Sequence, residues 1–300
     1  MRQKTLHIVF AGGGTLGHLF PGLAVAAELK RLAPDARLSF AGAGKRAEQL
    51  LVKTAGHAYQ AIACRPRPNG MTQAIRFVAD HVRGFHQAAR YLRTQHVDLV
   101  VGLGGYASYP MAQAAIVCQV PLVLLEQNAV PGLSTRRLAP YARLICVAFE
   151  EARQHLAASG PVRITGNPVR HMPHTIHGDA GRYLLVLGGS QGSQSLNASV
   201  PLALAGLQAK LTGWNIVHQA GEAGAAATAR LYGQLGLKAH VSPFIANLPR
   251  VMARCHLTIS RAGGTTLAEL AAAGLPAIVV PYPAASDQHQ LRNAEVFAAR

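Results

Sequence analysis

Four short apolar runs in this chain each end in a cluster of glycines beside residues able to do chemistry. His7–Ala11 runs into Gly12-Gly13-Gly14-Thr15-Leu16-Gly17-His18, and Val97–Val101 into Gly102-Leu103-Gly104-Gly105-Tyr106. Tyr183–Leu187 runs into Gly188-Gly189-Ser190-Gln191-Gly192, and 256–260 into Arg261-Ala262-Gly263-Gly264-Thr265-Thr266. Glycines let consecutive backbone N–H groups converge, and a helix starting there adds its positive dipole end. The chemistry of such a turn is the holding of an anion, a phosphate above all. His18 stands at the first helical turn, where the dipole disfavours imidazolium and suits a proton acceptor; taken alone it is equally a surface histidine. Glu126-Gln127-Asn128 closes another apolar run, either facing a ligand or capping a turn. Thr265 and Thr266 are expected to cap their helix. Glu269, one turn on, is suited either to a sugar diol or to pairing with a nearby Arg.

Gly12-x-Gly14-x-x-Gly17 also fits the dinucleotide fingerprint. The second strand, however, runs into Gly42-Ala43-Gly44-Lys45-Arg46 without a carboxylate at its end. Lys45 and Arg46 would suit the extra phosphate of NADP, so an NADP-dependent oxidoreductase stays open, as do turns without any ligand.

Alternating strands and helices must position these turns. In the first half the pattern predicts strands at 7–11, 37–41, 58–63, 97–101, 121–125 and 144–148, with helices at 18–32, 45–55, 72–94, 108–118, 132–139 and 150–158. Gly160-Pro161 and Thr165-Gly166-Asn167-Pro168 bracket a linker, and 171–181 reads as loop. The second half predicts strands at 183–187, 214–219, 239–242, 256–260 and 276–280. Its helices fall at 194–211, 223–235, 247–253, 265–273 and 287–299. Strands spaced by helices imply parallel sheets, with ligands at the carboxyl ends of strands, where every glycine turn falls. The expected fold is α/β with two Rossmann-like domains facing a cleft, residues 1–165 and 166–300.

Composition narrows the partners. Half of the 300 residues are hydrophobic, which excludes a disordered chain. The four cysteines, Cys64, Cys118, Cys146 and Cys255, form no CxxC pair and read as small buried hydrophobes rather than metal ligands. Net charge is +16, with 19 basic and 8 acidic residues in the first 165 and 10 and 5 in the rest. Such a surplus suits nucleic acid, an anionic membrane or a phosphorylated substrate. No zinc-finger spacing or RNA-binding aromatic motif is present, which sets nucleic acid aside. The apolar stretch before Gly12 is too short for a signal peptide, and no run approaches the ~20 residues of a membrane helix. Ile75, Val78, Ala79, Val82 and Phe85 recur at helical spacing beside Arg65, Arg67, Arg76 and Arg83. That stripe is either core-facing or an interfacial helix for an anionic membrane.

The ordered set of motifs resembles one family. It comprises Gly12–His18, Gly104-Gly105-Tyr106, Glu126–Gly132, Gly166-Asn167-Pro168-Val169-Arg170, Gly188–Gly192, Gly263–Glu269, Ala271–Pro276 and Asp287–Ala294. This order is similar to that of the MurG family of peptidoglycan glycosyltransferases, family 28 of the two-Rossmann GT-B architecture. The resemblance spans residues 7 to about 295 and implies an inverting hexosyltransferase. The reaction implied moves N-acetylglucosamine from UDP-GlcNAc to the 4-hydroxyl of undecaprenyl-diphosphate-MurNAc-pentapeptide, lipid I, giving the lipid II of cell wall synthesis. It also implies no cofactor, no tightly held metal, and a peripheral place on the cytoplasmic side of the bacterial plasma membrane. A binding-only or inactive remnant is the alternative within the same fold.

The resemblance implies roles for particular residues. Ser190 and the helix start at Gly264, Thr265, Thr266, Leu267 and Ala268 would hold the UDP diphosphate. The Ile245 backbone would hold the uracil, Glu269 the ribose, Gln290 the sugar, and Arg170 the uridine diphosphate. Thr15, Leu16, Gly17 and Asn128 would line the donor sugar's side. Gly13, Gly14, Gly104, Gly105 and Tyr106 would hold the acceptor diphosphate. His18, Glu126 and Asn128 are the catalytic candidates, with His18 the first choice of base and Glu126 the second. The chain departs from the family pattern at Leu16 and Leu125, where glycine and histidine are usual. It is also expected to lack the family's last fifty or so residues.

Overall fold

The computed structural model describes residues 5–68, 70–173 and 181–299. The chain divides into two compact units, the first ending at Pro168 and the second beginning at Val169.

The first unit runs β1 His7–Ala11, α1 Leu16–Leu32, β2 Arg37–Gly42, α2 Arg46–Thr54, β3 Ala58–Ala61 and α3 Met71–Thr94. It continues β4 Leu99–Gly102, α4 Tyr109–Val117, β5 Leu122–Glu126, α5 Leu133–Leu138, β6 Leu144–Val147 and β7 Val162–Ile164. The sheet is parallel, in the order β3-β2-β1-β4-β5-β6-β7. Every residue of β1 is buried, as a central strand covered on both faces requires. Phe10 and Phe40 stack at 5.0 Å on one face. On the other, Val9 and Val100 pack with the alanines and Met111 of α4. Strand order reverses between β1 and β4, and the crevice at such a reversal is where doubly wound sheets bind ligands.

The second unit runs β8 Arg182–Leu187, α6 Gln194–Ala205, β9 Trp214–Gln219, α7 Ala225–Gln234, β10 Ala239–Ser242 and α8 Leu248–Met252. It ends with β11 Leu257–Ser260, α9 Gly264–Ala273, β12 Ala277–Val279 and α10 His289–Ala298. Its parallel sheet has the order β10-β9-β8-β11-β12, so the reversal lies between β8 and β11.

Four expectations change in detail. Residues 150–158 form a 3-10 segment over Glu150–His155 rather than an α-helix. Val162–Ile164, inside the expected linker, is an edge strand with Ile145 opposite Val162. Gly160-Pro161 signals a break, and three residues are too few to show alternation. Helix α6 stops at Ala205, before Gly206, and a 3-10 turn follows over Gln208–Leu211. Asp287 and Gln288 are left-handed (φ 51°), so α10 begins only at His289. Of the expected loop 171–181, positions 174–180 lie outside the described residues.

Candidate active site

Because β1 and β4 are neighbours, the first and second glycine turns, Gly12–His18 and Gly102–Tyr106, meet. A Cβ on Gly14 would lie 2.5 Å from Tyr106 Cε1, and one on Gly105 would lie 3.2 Å from the Gly13 carbonyl. The His18 ring rests on the second of these turns: its Cε1 would be 3.3 Å from a Gly105 Cβ, and its Cδ2 3.5 Å from a Gly104 Cβ. His18 Nδ1 lies 2.9 Å from Thr15 Oγ1. Thr15 is exposed, and Leu16 and Gly17 are half-buried at the start of α1. The Gly14 N–H donates to Glu48 Oε1 at 2.7 Å, so this donor, expected at an acceptor diphosphate, is engaged by the chain's own carboxylate.

Glu126, Gln127 and Asn128 do reach this end of the sheet, yet two of the three turn inward. Glu126 is 4 % exposed. Its Oε1 accepts from the Asn128 N–H and Nδ2, both at 3.0 Å, and its Oε2 from the Gly132 N–H at 3.1 Å. Burial raises its pKa, opposed by these bonds and one from Thr135. Glu126 thus fastens the 126–132 loop from within and holds Asn128. Gln127 Nε2 donates to the Leu103 and Leu125 carbonyls, tying the β5 end to the Gly102–Tyr106 turn.

The second unit repeats the plan. Gly188–Gly192 follows β8 and Arg261–Gly264 follows the adjacent β11. Gly192 (φ 78°) and Gly221 (φ 80°) pack backbone on backbone. A Cβ on Gly192 would fall 2.0 Å from the Ala220 carbonyl, so no side chain fits there. Ser190 is half-buried in the turn. The N-cap of α9 is Gly263, so Thr265 and Thr266 stand inside the first turn and not at the cap position expected of them. Gly264, Thr265 and Thr266 form the first turn of α9, at the positive end of the helix dipole. Leu267 is buried and Ala268 half-buried.

Glu269 is 2 % exposed, and its Oε1 accepts from Arg170 Nε at 2.7 Å. Of the two readings open in the sequence, the geometry realises the arginine pair. A carboxylate has about four lone-pair directions, so one guanidinium bond leaves acceptor capacity for a diol. Gln290 Oε1 accepts from the Tyr282 N–H at 3.0 Å, and the Ile245 N–H donates to Gln219 Oε1 at 2.9 Å.

Three residues here were assigned no role from the sequence. Glu48 sits four residues before Val52, on the buried side of α2, where a lone acid among apolar spacing was the available signal. Arg261, 8 % exposed, is held by Ser193 Oγ, Ser195 Oγ and the Val280 and Pro281 carbonyls, and burial lowers its pKa. It brings a positive charge to the seam between the two turns of this unit. Gln219, at the β9 end, joins Ile245 to the Gly189 carbonyl (2.9 Å). A polar residue at or just past the carboxyl end of a strand marked both.

Of the cysteines, Cys255 is buried and the others half-buried, all with free thiols. Burial pushes Cys64 up to about 12 and Cys255 up to about 11, which leaves both unreactive near neutrality. Helix α3 exposes Met71, Ile75, Val78, Ala79 and Val82, with Arg76 and Arg83 alongside. Phe85 leaves that stripe and packs on the core. No helix among the described residues is long and apolar enough to cross a membrane.

The chain resembles known proteins along nearly its whole length. Residues 8–147 match the glycosyltransferase family 28 N-terminal domain, and 183–300 the family 28 C-terminal domain. A protein of Syntrophotalea carbinolica is 38% identical over 98% of this chain and 83% of its own length. One of Stutzerimonas stutzeri is 40% identical over 97% and 82%. Both are named UDP-N-acetylglucosamine–N-acetylmuramyl-(pentapeptide) pyrophosphoryl-undecaprenol N-acetylglucosamine transferase. The crystal structure of Acinetobacter baumannii MurG superposes with a TM-score of 0.69 at 33% identity, covering 98% of this chain and 82% of that one.

Proposed function

Because the chain belongs to glycosyltransferase family 28, alongside the MurG transferases, we propose that it transfers N-acetylglucosamine from UDP-GlcNAc to lipid I. The observation carrying this reading is the 38–40% identity to transferases of that name across 97–98% of the chain. An NADP oxidoreductase is not favoured by any of these relatives.

The second unit serves the donor. The Ser190 turn and the α9 start face the diphosphate, with Arg170 and Glu269 beside the ribose, Ile245 at the base and Gln290 at the sugar. The first unit serves the acceptor, through the Gly104-Gly105-Tyr106 turn and His18, with Thr15, Leu16, Gly17 and Asn128 toward the reacting sugar. In the reaction the acceptor 4-hydroxyl oxygen bonds to the sugar C1 while the C1–O bond to UDP breaks, inverting that carbon. The hydroxyl proton passes to His18, and the leaving diphosphate gains negative charge. Backbone N–H groups, the helix dipole and Arg170 stabilise that charge. Helix α3 lies on the anionic cytoplasmic face of the plasma membrane, where the lipid-linked acceptor resides.

Transfer of labelled GlcNAc from UDP-GlcNAc to a lipid I analogue tests the reading. Turnover supports it. UDP-dependent thermal protection without turnover would leave only a binding remnant.

A further inference from the structure

The first glycine turn already holds an anion, and that anion belongs to the chain. Glu48, 1 % exposed, accepts the Gly14 N–H at 2.7 Å and the Tyr59 hydroxyl at 2.6 Å. The glycines around it leave room for the carboxylate. A Cβ on Gly13 (φ 140°) or on Gly42 would come within 2.9 Å of its oxygens. Tyr59 is oriented in turn by the Gly44 N–H, 2.9 Å from its oxygen. Burial first, then the bond to Glu48, keeps that phenol protonated far above neutrality. Lys45 Nζ donates to the Gly14 carbonyl at 2.6 Å, so both polar groups of the Gly14 residue are gripped from the start of α2, by its N-cap Lys45 and its first-turn Glu48.

Building on the function proposed above, we propose that Glu48 is a positioning residue of the transfer reaction. Its carboxylate fills the anion seat at Gly13 and Gly14, which excludes the acceptor diphosphate from that seat. By fixing this turn it fixes Thr15 and His18, which follow within four residues. A negatively charged group already at hydrogen-bond distance, with a tyrosine behind it, leaves no unsatisfied donor at Gly14 for a phosphate oxygen. Placing a second anion there would also set like charges together in a buried site. The acceptor diphosphate is thereby left to the Gly104–Tyr106 turn.

Steady-state kinetics of Glu48→Gln, Glu48→Ala and Tyr59→Phe, with both substrates varied, test the role. Misplacing a catalytic group by about 1 Å can lower a rate by ~10²-fold, so kcat should fall by that order in Glu48→Ala. The loss should be smaller in Glu48→Gln, which keeps one carbonyl for Gly14. KM for UDP-GlcNAc should stay within about twofold in both, since uniform binding is untouched. Formate should partly restore kcat to Glu48→Ala by refilling the seat. Normal kcat in folded Glu48→Gln and Tyr59→Phe would overturn the proposal. So would a parallel loss of donor affinity and stability without formate rescue, which marks a purely structural residue.

A measurement without turnover separates this idea from the function it rests on. Inorganic pyrophosphate titrated into the ¹⁵N-labelled full chain should leave the Gly14 amide resonance unmoved in wild type and shift it in Glu48→Ala. A saturable shift of Gly14 in wild type would overturn the proposal even if the transferase assignment stands. Failure of transfer to lipid I with these pyrophosphate results intact would sink the function and leave the filled seat in place.

Discussion

Arg170 and Glu269, ninety-nine positions apart in the chain, meet at 2.7 Å with their side chains 18 % and 3 % exposed. Removing one partner of such a pair leaves a charge buried without its counterion, a loss of about 3–5 kcal/mol. Arg170→Ala should therefore lower the stability of the second unit markedly. Glu269→Ala should weaken UDP-GlcNAc binding about tenfold or more, the loss of one charge-assisted bond of ~1.5–3 kcal/mol. Calorimetric titration of the folded variants with UDP-GlcNAc decides the matter; unchanged affinity in Glu269→Ala would remove the ribose assignment.

Thr15 is the hydrogen-bond partner of the proposed base His18. For the ring to take a proton at Nε2, Nδ1 must carry hydrogen and donate it to Thr15 Oγ1, 2.9 Å away. His18→Ala should lower kcat by ~10² or more while UDP binding survives. Thr15→Val, which removes the oxygen at nearly constant shape, should show a smaller loss of the same kind. A near-normal turnover number for His18→Ala would move the base elsewhere.

The outer face of α3 carries Ile75 (70 % exposed) and Val78 (59 %), with Arg76 and Arg83 also exposed on the helix. Co-sedimentation with vesicles containing anionic lipid should fall at high salt and in an Arg76→Glu, Arg83→Glu double variant. Binding indifferent to both changes would exclude this face as the membrane contact.

His218 predicts an acid limit to the second unit. Its ring is buried between Tyr232 Oη (3.0 Å) and Asn197 Oδ1 (3.1 Å), and burial lowers its pKa to about 4. The unfolded chain takes up this proton near the ordinary value of 6.5 and the folded chain only near 4. Stability is therefore intact above 6.5 and is lost as pH falls toward 4, with a slope approaching ~1.4 kcal/mol per pH unit. Trp214, the sole tryptophan, lies on β9 and reports this unit by fluorescence during urea unfolding. His218→Gln should flatten the change in midpoint between pH 7 and pH 5. An equally steep dependence in the variant would assign the effect to other groups.

The parallel sheets and the placing of glycine turns at strand ends were legible in the sequence. Buried strands such as Leu184–Leu187 have continuous apolar runs, and glycines punctuate them. What was not legible were the partners across the chain. Nothing local joins Glu48 to Gly14, Arg261 to Ser193 and Ser195, or Gln219 to Ile245. These pairs form only once strand order brings distant turns together. The short edge strand β7 and the 3-10 segment at Glu150–His155 were lost for another reason. Three to six residues carry too little periodicity to distinguish strand, helix and turn.

The Gln219 carboxamide has a further consequence. It offers Ile245 the same kind of carbonyl oxygen that a pyrimidine edge would offer, and it already holds the Ile245 N–H at 2.9 Å. Under the donor role proposed for this unit, a base at that amide would enter by exchange: one bond of this type would form as another of equal kind breaks. Recognition by exchange contributes little net affinity, because the amide was never left to water. The base would then act as a filter on which nucleotide fits, while the strength of the grip comes from the charged groups beyond it. Since the same carboxamide also holds the Gly189 carbonyl, its displacement would be felt in the glycine turn, and occupancy of one loop would become a signal to the next.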